Sequence, residues 1–199
     1  MAFPGRIAIA SKNAHKLREL GRICADWPVE WVTVQTHEAS AFPDVEETGA
    51  TYLENAILKA RAVAAALGLP AIADDSGIEV DALGGKPGPR SARFAGDEAT
   101  DEQNLELLIR SLKGIPSGGR TARYRCVAVL AHPDGADLHA EGTCEGTLEG
   151  RRRGSGGFGY DPIFVPEGWD ETMAELTPDQ KDRISHRGRA FRALRDMLG

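Results

Sequence analysis

The chain has 199 residues, 41% of them hydrophobic and 27% charged, which is enough to bury a core of its own and fits one α/β domain spanning residues 1–199. A formal charge of −6 argues against nucleic acid as a partner, because a polyanion requires a broad basic surface, whereas a small anionic ligand requires only a local basic cluster. Cys24, Cys126 and Cys144 are odd in number and widely spaced, so neither a disulfide framework nor a zinc site is indicated and a reducing cytoplasm is expected.

Met1–Arg6 leads directly into a strand without an apolar signal core, and no later run approaches the roughly 18 apolar residues of a membrane span, so no membrane association is expected. Arg6–Ala10 reads as a buried strand. Ser11-Lys12-Asn13-Ala14-His15-Lys16 then turns the chain into a helix marked by Leu17, Leu20, Ile23 and Cys24. In such a unit the first helical N–H groups form a phosphate site to which Lys16 adds a charge; alternatively Asn13 simply caps a solvated helix.

Val29–Val34 reads as a second strand, and Gln35–Gly49 as a loop bearing Asp44, Glu46 and Glu47. Thr51-Tyr52-Leu53-Glu54 is a capping box, and its helix carries the apolar stripe Leu53, Ile57, Ala60, Ala64 and Leu67. Lys59 lies on the polar side of that helix. It is solvated if the helix lies on the surface, and a second phosphate contact if the first turns face Asp75.

Pro70–Ala73 reads as a strand, Asp74-Asp75-Ser76-Gly77 as a turn, and Ile78–Val80 as the strand resuming. The turn has two readings. Its aspartates either cap a hairpin as an Asx turn, or present paired carboxylates for a hard cation or general base. Gly84–Gly96 has no period and is either mobile or held by contacts, and Thr100-Asp101-Glu102-Gln103 opens a helix of structural character.

Thr121–His132 and Leu138–Leu148 read as a long hairpin across Asp134-Gly135, which makes the sheet mixed, and Arg151-Arg152-Arg153 reads as a solvated basic run. In Gly154–Pro162, alternation of glycine with Phe158 and Tyr160 lets one ring lie under a planar base while Asp161 accepts from its edge; the alternative is a hairpin tip whose aromatic packs into the core. Thr177-Pro178-Asp179-Gln180 opens a short helix bearing Lys181. Ser185-His186-Arg187-Gly188 begins the last, where Arg187 is either a fork-shaped phosphate donor or a solvated charge.

Taken together, Ser11–Lys16, Glu46–Gly49, Leu53–Ala56, Ala73–Gly77, Gly157–Pro162 and Ser185–Gly188 resemble, in order, the motifs of the inosine/xanthosine triphosphate pyrophosphatase family. The resemblance implies an α/β fold with a long mixed central sheet flanked by helices, two lobes with the active-site cleft between them, and a homodimer. It implies Mg²⁺-dependent hydrolysis of ITP, dITP and XTP to the monophosphate and pyrophosphate. Asp75 becomes the proton acceptor and a magnesium ligand, with Glu46 as the second acidic ligand. Ser11, Lys12, Asn13, Ala14, His15, Lys16, Ser76, Lys181 and Arg187 hold the nucleotide and its phosphates. Phe158, Gly159, Tyr160, Asp161 and His186 form the base pocket. One departure stands out: Lys12 replaces the glycine of the usual Thr-Gly-Asn, which is awkward if that position requires φ > 0 and a further phosphate contact if it does not.

Water attacking the α-phosphorus with pyrophosphate leaving is the expected reaction, oriented by a carboxylate and eased by cations. Two other readings are the related septum-inhibitor-like (Maf) nucleotide pyrophosphatases and a nucleotide sensor without turnover. The Phe158–Asp161 and Ser185–Arg187 motifs favour the first family over Maf.

Overall fold

The structure is a computed structural model that describes residues 3–199. Met1 and Ala2, read above as the start of the run into the first strand, lie outside the described residues. The elements follow as β1 (Arg6–Ile9), α1 (Ala14–Ile23), β2 (Glu30–Val32), α2 (Tyr52–Leu67), β3 (Ala71–Val80), β4 (Lys86–Pro87), α3 (Asp101–Ser111), β5 (Thr121–Ala131), β6 (Asp137–Leu148), β7 (Phe164–Pro166), α4 (Pro178–Ile184) and α5 (His186–Asp196). The sheet runs in the order β2-β1-β3-β5-β6-β7, with β4 beside β3. It is mixed, as expected: β1 is parallel to β2 and β3, while β4 and β7 are antiparallel to β3 and β6. The parallel pairs follow from the intervening helices, since parallel neighbours need a crossover.

Three capping boxes set the helix starts where the local sequence placed them. Thr51, Thr100 and Thr177 each accept from the backbone N–H three residues on, and Glu54, Gln103 and Gln180 reach back. Gly68 ends α2 in the left-handed region at φ 64°, where a side chain is disfavoured.

The chain divides into two compact units. Among the described residues, the first comprises residues 3–75, 126–142 and 187–199; the second comprises residues 76–125 and 143–186. In the first unit the strands are buried on both faces, and alternate residues enter different layers. Ile7, Ile9, Ile72 and Leu130 pack with Leu17 and Leu20 of α1 and Phe191 and Leu194 of α5. Ala8, Ala71, Ala73 and Val129 pack with Ala56, Ala60 and Val63 of α2. In the second unit Ile78, Val80, Tyr124 and Phe164 pack with Leu105, Leu108 and Leu112 of α3 and with Met173.

Two expectations are corrected. The Asp74–Gly77 segment is not a turn: β3 runs unbroken from Ala71 to Val80. Short polar residues bend a chain when their side chains bond their own backbone, but here both carboxylates are bonded by side chains from distant elements, leaving the strand extended. The deep face of α2 is also rotated from the predicted stripe. Tyr52, Ala56, Ala60, Val63 and Ala64 are buried, whereas Leu53, Ile57 and Leu67 are only partly so. That rotation turns Asn55 and Lys59 inward.

The Gly84–Gly96 segment is held by contacts. Ser91 Oγ accepts from the Ile78 N–H at 2.8 Å, and the Asn104 side chain bonds both Ala92 and Ala95. Arg152 pairs with Glu102 and Glu106, and Arg153 with Glu175 and Glu149, so two of the three arginines in the basic run are ion-paired, while Arg151 is exposed. All three cysteines are free and buried, and burial raises the thiols of Cys24 and Cys126. Among the described residues no helix is long and apolar enough to cross a membrane.

Candidate active site

Strand β3 places Asp74 and Asp75 on opposite faces, as the two-residue period requires, and the two carboxylates have different surroundings. Asp74 faces α1 and α5 and is 3% exposed. Its Oδ2 accepts from Lys16 Nζ at 3.1 Å and from Arg187 Nη2 and Nε at 3.1 and 3.3 Å. Burial alone raises this carboxyl; the Arg187, Lys16 and Lys59 cations outweigh it and hold the group far below the usual carboxylate range.

Asp75, 5% exposed, faces α2. Lys59 Nζ donates to its Oδ1 at 3.2 Å and Asn55 Nδ2 to its Oδ2 at 3.3 Å. Here burial wins. The carboxyl is raised above its ordinary value, with Glu47 adding to the rise and Lys59 and Lys16 opposing it.

Glu19 was not singled out in the sequence, and Glu47 and Asn55 were named only within the acidic loop and the Leu53–Ala56 motif, with no role of their own. Asn55 joins the acidic loop to Asp75, because its Oδ1 accepts from the Gly49 N–H at 2.8 Å. A Cβ at Gly49 would lie 2.6 Å from that same oxygen, so only glycine permits the approach. Glu47 accepts from Lys59 at 2.7 Å, while Glu46 is exposed beside it. Glu19 is buried on α1 and binds Arg187 Nη1 at 2.5 Å.

Arg187, 2% exposed, thus has all three guanidinium nitrogens engaged by Glu19 and Asp74. The reading of Arg187 as a solvated charge is corrected: it forms a buried clamp on Asp74. Glu19, Glu47, Asp74 and Asp75 thus pair with the cations Lys16, Lys59 and Arg187 in one corner of the first unit.

At the start of α1, Asn13 Oδ1 accepts from the N–H groups of His15 and Lys16 at 2.8 and 3.2 Å, and Ser11 Oγ accepts from the Asn13 N–H. Asn13 therefore caps α1. Ala14 begins the helix, and His15 Nδ1 lies 2.9 Å from Arg18. No non-glycine residue described has positive φ, so Lys12 is unstrained where the family usually has glycine; its ammonium pairs with Asp44 at 2.6 Å.

In the second unit Ser76 continues β3, half-buried. A separate group surrounds Asp161. Its Oδ2 accepts from Lys181 Nζ at 2.5 Å and from the Phe158 N–H at 2.8 Å, and its Oδ1 from Tyr124 at 3.3 Å. Asp161 is buried and turned inward, which leaves it stabilising this loop. Gly157, at φ 69°, allows the loop to close, since a Cβ there would strike the Asp161 carboxylate. Lys181 lies 5.1 Å from the Phe158 ring centre, and His186 stacks on Tyr124.

The aromatic alternation resolves into two roles. Tyr160 is buried and its hydroxyl donates to the Ser91 carbonyl at 2.7 Å, as a core residue does. Phe158 is partly exposed, with Gly159 following at φ 60°.

Among the described residues no group of three or more His, Cys, Asp or Glu side chains is arranged to hold a metal alone. Magnesium commonly takes one or two carboxylates and completes its shell with substrate phosphate and water, and the Asp75 and Glu47 carboxylates, bridged by Lys59, fit that donor set.

Comparison with known proteins gives a concordant result. A Ham1 family profile matches residues 7–197. A Streptomyces coelicolor protein named dITP/XTP pyrophosphatase is 50% identical over 98% of this chain and 99% of its own, and a Shigella flexneri protein of the same name is 47% identical over 97% and 98%. Among solved structures, a HAM1 protein from Coxiella burnetii superposes with a TM-score of 0.86 at 40% identity, covering 100% of this chain and 98% of its own. The Staphylococcus aureus Ham1 protein gives 0.83 at 42%, covering 97% of each. The ordered motifs, the mixed sheet and these full-length matches agree: the chain belongs to the Ham1 family.

Proposed function

We propose that this protein hydrolyses non-canonical purine nucleoside triphosphates (ITP, dITP and XTP) to the nucleoside monophosphate and pyrophosphate. The observation that carries the reading is the division of labour between neighbours on β3. Asp74 is locked by Arg187 and Lys16, whereas Asp75 is buried, bonded by Lys59 and Asn55, and raised. Adjacent acids whose environments push their affinities for protons apart mark an acid–base assignment. The names of the relatives supply the substrate class.

In this reading Asp75 orients the attacking water and takes its proton, and Lys59 and Asn55 fix the direction of its oxygens. Lys16, anchored by Asp74, meets the triphosphate together with the Ser11–His15 turn. Phe158, Lys181 and His186 receive the purine, and Asp161 holds Lys181 and the Phe158 backbone in place. Asp75, with Glu46 as the second acidic ligand, holds Mg²⁺, which when bound neutralises charge on the phosphates. A homodimer in the cytoplasm completes the proposal, the dimer supported by the family resemblance and the compartment by the free, buried cysteines.

The test offers ITP, XTP, GTP, ATP and dTTP with Mg²⁺ and measures both pyrophosphate and orthophosphate. Pyrophosphate released from ITP and XTP in preference to the rest supports the reading. Dominant dTTP cleavage assigns Maf-type chemistry instead, and binding without product assigns a sensor.

A further inference from the structure

We propose that Tyr124, which no motif singles out, positions the base-binding residues. The inference rests on the base-pocket reading above and adds the residue that organises it. Tyr124 lies on β5 and is 7% exposed. Its ring lies parallel to the His186 imidazole, with centroids 4.5 Å apart and planes 7° from coincidence. Phe164 leans against the same ring at 4.7 Å and 56°. Its hydroxyl donates to Asp161 Oδ1, and Asp161 in turn holds Lys181 Nζ and the Phe158 N–H. One side chain therefore touches His186 directly and reaches Lys181 and Phe158 through the Asp161 carboxylate.

His186 opens α5 directly after Ser185, the C-cap of α4, and is 5% exposed. A flat neighbour in parallel contact fixes the plane of the ring. The two contacts of Tyr124 are unequal in strength. At 3.3 Å the hydroxyl bond exceeds the roughly 3.0 Å limit of ordinary O–H···O bonds, whereas the ring pair lies within the range of about 4.5–7 Å where aromatic pairs attract. The ring carries the role, and the hydroxyl is secondary.

Two variants separate these contributions. Tyr124→Phe keeps the flat face, while Tyr124→Met fills similar volume without one. The readouts are KM and kcat for ITP, and inhibition by IMP, which carries a base, against inhibition by pyrophosphate, which does not. For Tyr124→Met we expect KM and the IMP inhibition constant to rise about tenfold, kcat and pyrophosphate inhibition to stay within about twofold, and Tyr124→Phe to match wild type. The proposal is overturned if Tyr124→Met leaves IMP inhibition unchanged, if it weakens pyrophosphate equally, or if Tyr124→Phe is as impaired.

A second measurement is independent of turnover and of the folding of Tyr124→Met. The His186 ring protons, assigned by their loss in His186→Gln, are expected upfield in wild type and Tyr124→Phe through the ring current of residue 124; unshifted signals overturn the stack. If wild-type protein releases no pyrophosphate from ITP, the activity proposal fails, and the ring-current measurement alone decides the role of Tyr124.

Discussion

Replacing Asp74 with Asn keeps the shape of the side chain and removes its charge. Arg187, 2% exposed, then faces a neutral amide where its Nε and Nη2 groups met a carboxylate, and retains the charge of Glu19 on Nη1. Removing one member of a buried ion pair costs about 3–5 kcal/mol, and the surviving Glu19 contact places this case at about 3 kcal/mol. For a chain of this size each kcal/mol shifts Tm by about 2–4 °C, so Asp74→Asn is expected to melt about 6–12 °C below wild type at neutral pH.

The pH dependence has a definite sign. Burial alone raises Asp74, but Arg187, Lys16 and Lys59 hold its folded-state pKa below the unfolded value of about 3.9. The stabilisation is therefore complete above that value and fades as pH falls toward the folded pKa, so the gap between wild type and variant narrows below about pH 4. Circular dichroism melts of both proteins at neutral pH and near pH 3 measure it. Coincident melts at neutral pH, or an undiminished gap in acid, would refute the buried clamp.

Asp75→Asn tests the opposite member of the pair. Because burial raises Asp75 despite Lys59, a neutral amide is expected to leave neutral-pH stability unchanged or higher, while turnover falls about 10²–10⁴-fold and ITP still protects against unfolding. Lys16→Met removes the cation assigned to the triphosphate: kcat/KM for ITP is expected to fall about a hundredfold, with little change in Tm because Asp74 keeps Arg187.

Features fixed by neighbours in sequence were legible, and features fixed by distant partners were not. Thr51, Thr100 and Thr177 marked their helices because a capping box is complete within four residues. The strand through Asp74–Gly77 was misread as a turn because its deciding partners are remote: Arg187 bonds Asp74 from 113 residues away and Lys59 bonds Asp75 from 16. Glu19 and Asn55 resemble solvated helix positions until the partners of Arg187 and Asp75 are known. The buried acid of Glu19 left no local signal beyond proximity to apolar residues, and Asn55 none beyond its place in the Leu53–Ala56 motif.

The site showed the same limit. The motifs brought Lys16, Asp74 and Asp75 into view, but not the rotation of α2 that turns Lys59 onto Asp75. Within the glycine-rich loop, composition did not separate Tyr160, bonded to Ser91, from the partly exposed Phe158. The role of Asp161 changed most. An acid next to aromatic residues suited the edge of a base, yet Lys181, Phe158 and Tyr124 already surround it.

The central claim, that Asp75 directs water to the α-phosphorus, is tested most directly by hydrolysing ITP in ¹⁸O-labelled water and weighing the products. The account predicts one labelled oxygen in IMP and none in pyrophosphate. Label in pyrophosphate, meaning attack at the β-phosphorus, or in orthophosphate, meaning attack at the γ-phosphorus, would contradict it.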